Sequence, residues 1–174
     1  MNKIVLGGGC FWCIEAVYQQ VKGVEKVVSG FAGGDPDDEP DYWKIHDADN
    51  KHAEVIQVTY DETVISLQEI LEIFFGTHDP TTTQQPGTAD AGSEYRSIIL
   101  CAEDEVELAE KAKQDAQKNW NDQIITEIKL LDTFTPADAS HQNYYNRNTS
   151  AGYCQVVINP KLDKFRKNFT KYLK

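Results

Sequence analysis

The order in which strand-like and helix-like periodicity alternates along residues 3–102 restricts the fold of this chain most. Apolar runs closed by glycines, or alternating apolar and polar residues, predict β-strands, whereas apolar residues three and four apart predict helices. The predicted order is strand, helix, strand, strand, helix, strand, at residues 3–8, 12–22, 24–34, 52–61, 66–75 and 93–102. This β-α-β-β-α-β order is that of a ferredoxin-like split βαβ sandwich, an α+β fold with helices on one face of the sheet.

The rest of the chain predicts C-terminal extensions of this sandwich. A helix is expected at residues 103–120, a strand at 126–134, a helical turn at 138–146 and a short strand at 155–158. Asn159 as cap and Pro160 at the first helical position predict a last helix. Residues 34–51 and 76–92 are aperiodic and indicate long loops. Because no linker separates these segments, we expect one domain over residues 1–174.

The charge balance restricts the partners of the protein. The 174 residues carry 17 basic and 28 acidic side chains, a net charge of −11, which repels nucleic acid and anionic lipid surfaces. Residues 1–9 lack the pattern of a signal peptide, and no apolar run approaches the roughly 18 residues of a spanning helix. A cytoplasmic protein with no membrane or nucleic-acid partner is expected.

The stretch LGGGCFWCIEA at residues 6–16 carries the most reactive chemistry. Cys10 follows a buried strand and three glycines, so it is expected at a helix N-terminus, where free N–H groups favour a nucleophilic thiolate of lowered pKa. Cys13 completes a C-x-x-C pattern that lets the second sulfur reach the first. The alternative for both is a buried packing cysteine. A zinc site would need a second pair of ligands at matching spacing, and Cys101 and Cys154 stand alone, so no metal is expected.

Further candidates lie beside and beyond this stretch. Phe11 and Trp12 are either core aromatics or the wall of a small apolar pocket suited to a methyl group. Period two places Glu54 on the same strand face as Ile56 and Val58, where partial desolvation would make its carboxyl a general acid. Alternatively, Glu54 lies in water at the frayed end of the strand.

Two tyrosines, one in the long acidic loop and one at the start of the fourth predicted strand, offer phenolic donors. These are Tyr42 and Tyr95, and Asp90 could orient one of them. Sequence spacing does not show whether they meet Cys10. His141, in the stretch HQNYY, is expected to pack or to hydrogen-bond locally, and Cys101 lies inside a predicted strand and is expected to be inert.

Ordered motifs across nearly the whole chain resemble the peptide methionine sulfoxide reductase A family. The motifs are GGGCFWCIEA, GFAGG, HAEVIQVTYD, FFGTHDPTTTQQPGTADAGSEYRS, HQNYY and GYCQ. The resemblance implies reduction of the S epimer of methionine sulfoxide, with thioredoxin as the usual electron donor and no metal or organic cofactor. It also implies a role for each candidate. Cys10 resembles the nucleophile that becomes a sulfenic acid, Phe11 and Trp12 the methyl pocket, Glu54 the acid, and Tyr42 and Tyr95 the hydroxyl donors, with Asp90 nearby.

Two departures from the family pattern leave the resolving thiol open. Many members carry glycine where this chain has Cys13, and many continue from GYC into a mobile glycine-rich tail, whereas Cys154 here precedes a predicted strand. Cys13, Cys154 or an external thiol could therefore resolve the sulfenic acid. Two other functions also fit parts of the pattern, a thioredoxin-like disulfide oxidoreductase and a non-catalytic module that binds oxidised methionine.

Overall fold

The computed structural model describes residues 1–35, 51–85 and 92–174, and the described strands form one mixed sheet. The strands are β1 (Asn2–Gly7), β2 (Val24–Ala32), β3 (Ala53–Tyr60), β4 (Ile98–Cys101), β5 (Glu127–Leu130) and β6 (Phe134–Pro136). Their order in the sheet is β5-β4-β1-β3-β2-β6. All neighbours are antiparallel except β4 and β5, which are parallel. The class is α+β, as predicted.

Helices cover one face of this sheet. They are α1 (Phe11–Tyr18), α2 (Leu67–Gly76), α3 (Val106–Gln117), α4 (Tyr144–Arg147) and α5 (Asn159–Asn168). The main core contains Ile56, Val58 and Tyr60 of β3 together with apolar residues of α1, α2 and α5. A smaller cluster around Val5 and Val55 lies on the opposite face. Alternation along β3 therefore sorts its side chains as the sequence predicts.

The predicted start of α2 is confirmed in detail. The Ser66 side chain accepts a hydrogen bond from the Glu69 N–H, and the Glu69 carboxylate accepts one from the Ser66 N–H. This capping box satisfies two of the N–H groups that a helix start leaves open.

Two predictions within residues 93–134 were wrong. Residues Ser93–Tyr95 form a 3₁₀ turn, and β4 begins only at Ile98. The predicted strand at 126–134 is two strands on opposite edges of the sheet, β5 beside β4 and β6 beside β2. The chain leaves β5 after Leu130, and Phe134 then packs over Gly30, where a Cβ would collide with the Phe134 ring and the Thr135 carbonyl.

The predicted strand at 155–158 is also wrong. Cys154–Ile158 form a π-helical stretch that runs directly into α5, so Asn159 does not cap a new helix. Cys154, Ile158 and Leu162 are each fully buried. Their spacing of four places them on one helix face, and burial of this face outweighs the strand preference of Val156 and Val157.

Tight backbone passages surround the glycine stretch. Gly9 has a φ of +88°, a region that favours glycine, and a Cβ on Gly7 would lie 2.7 Å from the Ile98 side chain. The Gly9 N–H donates to the Tyr95 carbonyl at 3.2 Å. The glycines therefore let the chain turn sharply from β1 into α1. Within the described part of the chain, no helix combines the length and the apolar character needed to cross a membrane.

The His78 ring packs against Gly8, in the turn between β1 and α1. Its Nδ1 lies 2.6 Å from the Phe74 carbonyl, and its Nε2 lies 2.8 Å from the Ser97 hydroxyl, which contacts Thr126. Since a carbonyl only accepts, Nδ1 donates and Nε2 accepts from Ser97. Burial lowers the pKa of His78 to about 4, so the imidazole stays neutral in the folded protein.

The lowered pKa of His78 predicts that the stability of the folded protein depends on pH. Because the pKa is about 4 in the folded protein and 6.5 otherwise, its contribution is complete above pH 6.5 and is lost as the pH falls toward 4. The loss should reach about 3 kcal/mol, at about 1.4 kcal/mol per pH unit. Urea unfolding of wild type and His78→Asn between pH 4.5 and 7.5 measures it. We expect a flatter pH dependence in the variant, and parallel curves would contradict the prediction.

Candidate functional site

Cys10 stands at the N-terminus of α1, as the sequence predicts. It is the N-cap residue, with extended backbone (φ −64°, ψ 131°). Its carbonyl accepts hydrogen bonds from the N–H groups of Cys13 at 3.1 Å and Ile14 at 3.4 Å. The Cys10 side chain is 7% exposed. The thiol thus lies where β1 ends and the helix begins.

Glu54 reaches the same helix N-terminus from β3. Its Oε1 accepts a hydrogen bond from the Phe11 N–H at 3.5 Å, and Glu54 is 1% exposed. The predicted burial on the face of Ile56 is confirmed, and the alternative of a solvent-exposed strand end is wrong. A carboxyl group and a thiol are therefore buried side by side at one helix end.

The expectation of a lowered pKa for Cys10 is wrong. Burial raises the pKa of the Cys10 thiol well above its usual value, and the hydrogen bond with Cys13 and the negative charge of Glu54 act in the same direction. A hydrogen bond with Tyr153 opposes this shift. The main physical reason is that burial disfavours the charged thiolate, and the Glu54 carboxylate at the same helix end further disfavours a second anion. The resting thiol is protonated at neutral pH.

Phe11 and Trp12 differ in burial and in the rings that they contact. Phe11 is fully buried and packs on Phe31, with ring centroids 5.6 Å apart. Trp12 is partly exposed and belongs to an aromatic cluster. It stacks on Tyr144 at 3.8 Å and on His141 at 5.8 Å, and it meets the edge of Tyr153 at 5.7 Å. His141 packs, as predicted, but against the distant residues Phe11 and Trp12 rather than locally.

A buried carboxylate attaches this cluster to α1. Glu15 is 1% exposed. It accepts hydrogen bonds from the backbone N–H groups of Asn143 at 3.0 Å and Tyr144 at 3.1 Å, and from the Ser29 hydroxyl at 3.1 Å. Asn143 adopts a left-handed backbone (φ 52°) there. Burial raises the pKa of Glu15, whereas these hydrogen bonds lower it. Glu15 therefore fixes the segment that places Tyr144 on Trp12.

The segment at residues 139–147, which carries Tyr144, is also hydrogen-bonded to β2. The Gln142 side chain accepts from the Ser29 N–H at 2.9 Å and donates to the Ser29 carbonyl at 2.8 Å. The Arg147 guanidinium donates to the carbonyls of Ala139 and Ser140, each at 3.0 Å. His141 and Tyr144 thus sit on a segment that is fixed at several points.

Three thiols and one phenol gather beside α1. The sulfur of Cys13 lies close enough to the Cys10 thiol to raise its pKa and is 3.6 Å from the Tyr153 hydroxyl oxygen. Cys154 is fully buried and lies close enough to Cys13 for a negative charge there to raise its pKa. In the structure, all four cysteines of the chain are free thiols.

The remaining candidates are placed only in part. Tyr95 is 8% exposed, and its carbonyl contacts Gly9 immediately before Cys10. Tyr42 and Asp90 lie outside the described residues. Among residues 1–35, 51–85 and 92–174, no three His, Cys, Asp or Glu side chains lie together in a way that could hold a metal ion.

Sequence reasoning missed the contributions of Glu15, Tyr144 and Tyr153. One signal was available for Glu15, a lone charge among the apolar residues of a short helix, because a buried charge needs partners. No local pattern marks the two tyrosines, since their contacts join residues more than 100 positions apart.

Glu15 generates a prediction about packing. Glutamine has one acceptor oxygen, so in Glu15→Gln its NH₂ group must face one of the two backbone N–H donors. We expect a loss of about 2 kcal/mol of stability and a change in near-UV circular dichroism as the stack of Trp12 and Tyr144 loosens. Urea unfolding and the spectrum measure both. Glu110→Gln, at an exposed site on α3, is the control and should leave both unchanged. Wild-type values in Glu15→Gln would refute the assignment.

Comparisons with known proteins agree with this geometry. The family model described as peptide methionine sulfoxide reductase matches residues 2–173. A protein of Paenarthrobacter aurescens named peptide methionine sulfoxide reductase MsrA is 48% identical over 174 residues, 99% of each chain. The reduced form of Mxr1 from Saccharomyces cerevisiae superposes with a TM-score of 0.79 at 31% identity, covering 89% of this chain and 90% of that one.

A second yeast structure is also similar. Mxr1 from Saccharomyces cerevisiae in complex with Trx2 has a TM-score of 0.56 at 28% identity, over 82% of this chain and 84% of that one. Both the sequence matches and the structural matches extend over most of the chain. The chain belongs to the peptide methionine sulfoxide reductase A family.

Proposed function

We propose that the protein reduces the S epimer of methionine sulfoxide, free or in proteins, to methionine and so repairs oxidised proteins. One observation carries the proposal, the buried pairing of the Cys10 thiol with the Glu54 carboxyl group at the N-terminus of α1. A nucleophile and a proton donor are the two groups that removal of a sulfoxide oxygen requires.

The first step transfers the oxygen to the enzyme. The Cys10 sulfur attacks the sulfoxide sulfur while Glu54 donates a proton to the oxygen. The protonated oxygen then bonds to the Cys10 sulfur as the sulfoxide S–O bond and the S–S bond formed by the attack both break, and methionine leaves. One thiol and one sulfoxide thus become one sulfenic acid and one thioether. The raised pKa of Cys10 keeps a proton in the site, and Glu54 is placed to pass that proton to the oxygen.

The surrounding side chains supply binding and polarisation. Trp12 and Phe11 form the pocket for the substrate methyl group, and the stack on Tyr144 fixes the plane of the Trp12 ring. The hydroxyl groups of Tyr95 and Tyr42 donate to the sulfoxide oxygen as negative charge develops on it, in the manner of an oxyanion hole. Asp90 orients one of these hydroxyl groups.

Cys13 is the proposed resolving thiol. It is three residues from Cys10 in the first turn of the same helix, and its N–H donates to the Cys10 carbonyl at 3.1 Å. The Cys13 sulfur displaces the hydroxyl group of the Cys10 sulfenic acid, which gives a disulfide and water. Cys154, fully buried behind Cys13, is the alternative resolver. An external thiol then reduces the disulfide.

Thioredoxin is the proposed reductant, because the similar yeast protein Mxr1 forms a complex with Trx2. Thiol-dependent turnover requires a reducing compartment, so we propose a cytoplasmic location. The free state of the four cysteines is compatible with it.

We also propose that residues 1–174 form a single domain with a ferredoxin-like centre. The strand order β4-β1-β3-β2 with α1 and α2 as connections supports this description. Strands β5 and β6 extend the sheet at its two edges.

The reaction is tested with Cys10→Ser. Wild type should convert the S epimer, and not the R epimer, of a methionine sulfoxide peptide to methionine, with dithiothreitol as the reductant. Cys10→Ser should form no methionine, even in a single turnover followed by mass spectrometry, because no other group can take the oxygen. Cys101→Ser is the matched control and should remain active. Methionine production by Cys10→Ser would rule out the assigned nucleophile.

The resolving thiol is tested by mapping disulfides. One equivalent of substrate without reductant should give a bond between Cys10 and Cys13 in wild type and in Cys154→Ser. In Cys13→Ser the sulfenic acid should persist long enough to be trapped by dimedone, because the nearest thiol is gone. Peptide mass spectrometry distinguishes these products. A Cys10–Cys154 bond in wild type would assign the role to Cys154 instead.

A further inference from the structure

The hydroxyl group of Tyr153 lies beside the two thiols at the start of α1. It is 3.6 Å from the sulfur of Cys13 and is close enough to the thiol of Cys10 to lower its pKa. Cys10 caps α1 and Cys13 lies in its first turn, where the Cys13 N–H donates to the Cys10 carbonyl at 3.1 Å, so the three groups lie together. Tyr153 has no part in the oxygen-transfer step described above.

Packing fixes the position of this hydroxyl group. The Tyr153 ring meets the Trp12 ring edge-on, at an interplanar angle of 79°. The residue immediately precedes the π-helical stretch Cys154–Ile158, whose Cys154 and Ile158 side chains are fully buried. Single π-helical turns within helices are frequent at functional sites because they redirect the adjacent side chains.

Formation of the disulfide requires a proton transfer among these three groups. The Cys13 thiol must lose its proton to become a nucleophile, and the hydroxyl group on Cys10 must gain one to leave as water. Cys13 is 2% exposed and Cys10 is 7% exposed. Bulk water therefore has little access to either sulfur, and a side chain has to carry the proton.

We propose that Tyr153 is a catalytic residue of the resolving step and relays a proton from the Cys13 thiol to the departing hydroxyl group of the Cys10 sulfenic acid. The phenol oxygen accepts the proton of Cys13, and its own proton goes to the hydroxyl group. The Cys13–Cys10 S–S bond forms, the Cys10 S–O bond breaks, and water leaves with tyrosine unchanged. The proposal rests on the proposed function, with Cys13 as the resolving thiol.

The experiment separates the two steps in the full-length protein. Wild type, Tyr153→Phe and Tyr145→Phe react with one equivalent of methionine sulfoxide peptide without reductant. Samples are quenched over time with dimedone, and methionine, sulfenic acid and disulfide are counted by mass spectrometry. In Tyr153→Phe we expect methionine release followed by a disulfide step slowed on the order of a hundredfold, so that the sulfenic acid accumulates. Tyr145→Phe is the matched control, because that hydroxyl group donates to Asn159, and its disulfide step should match wild type.

A second measurement keeps the proposal falsifiable if Tyr153→Phe folds poorly. The disulfide step of wild type in deuterated water should show a normal solvent isotope effect, because protons are in flight as the bond forms. Disulfide formation in folded Tyr153→Phe at the wild-type rate, or the absence of a solvent isotope effect in wild type, would overturn the relay. Failure of the proposed function is distinguishable, since wild type would then release no methionine at all.

Discussion

The N-terminus of α1 is the constraint on which the site depends, because two acidic groups compete for one positive helix end. The Glu54 carboxylate takes the Phe11 N–H, and the Cys10 thiol beside it is buried and carries a raised pKa. A helix end alone would favour a thiolate, but a neighbouring carboxylate and desolvation together outweigh that field. The consequence is a site that keeps its proton at rest. Such a site suits a reaction in which the leaving oxygen must be protonated, since a permanently ionised thiolate would supply no proton.

The sequence predicted the first three strands and the first two helices because each is specified locally, whereas β4 begins later than predicted, at Ile98. Alternation in β3 and the capping box of α2 are patterns within ten residues, and burial of β3 followed the predicted period. Prediction failed after β4, where long-range contacts decide. The apolar stretch at 126–134 has the composition of one strand, yet the sheet has two open edges, and the chain supplies both by turning after Leu130. The stretch at 155–158 has strand composition, but the spacing of Cys154 and Ile158 buries a helix face.

The same distinction between local patterns and long-range contacts applies to the candidate site. Cys10 and Glu54 could be predicted because the glycine turn and the strand period define where each side chain points. The partners of Trp12 could not, because Glu15 recruits the segment that carries Tyr144 from 129 residues away. Phe11 illustrates an intermediate case, since composition leaves a core and a pocket role open, and the structure buries its ring entirely. The roles predicted for Tyr42 and Asp90 stay predictions, because these residues lie outside the described part of the chain.

The position of Cys13 changes what the C-terminal region has to do. A resolving cysteine on a distant tail requires that tail to move, and a moving tail cannot also form a fixed wall of the substrate pocket. Here the proposed resolving thiol lies three residues from Cys10 on the same helix, so the disulfide closes without displacement of the segment around Tyr144. The segment around Tyr144 can therefore stay rigid. Glu15 attaches it to α1 and Gln142 attaches it to β2 by hydrogen bonds. A helical continuation at Cys154 is therefore compatible with thiol chemistry, because the helix holds Tyr153 against the two sulfurs and no thiol on it has to travel.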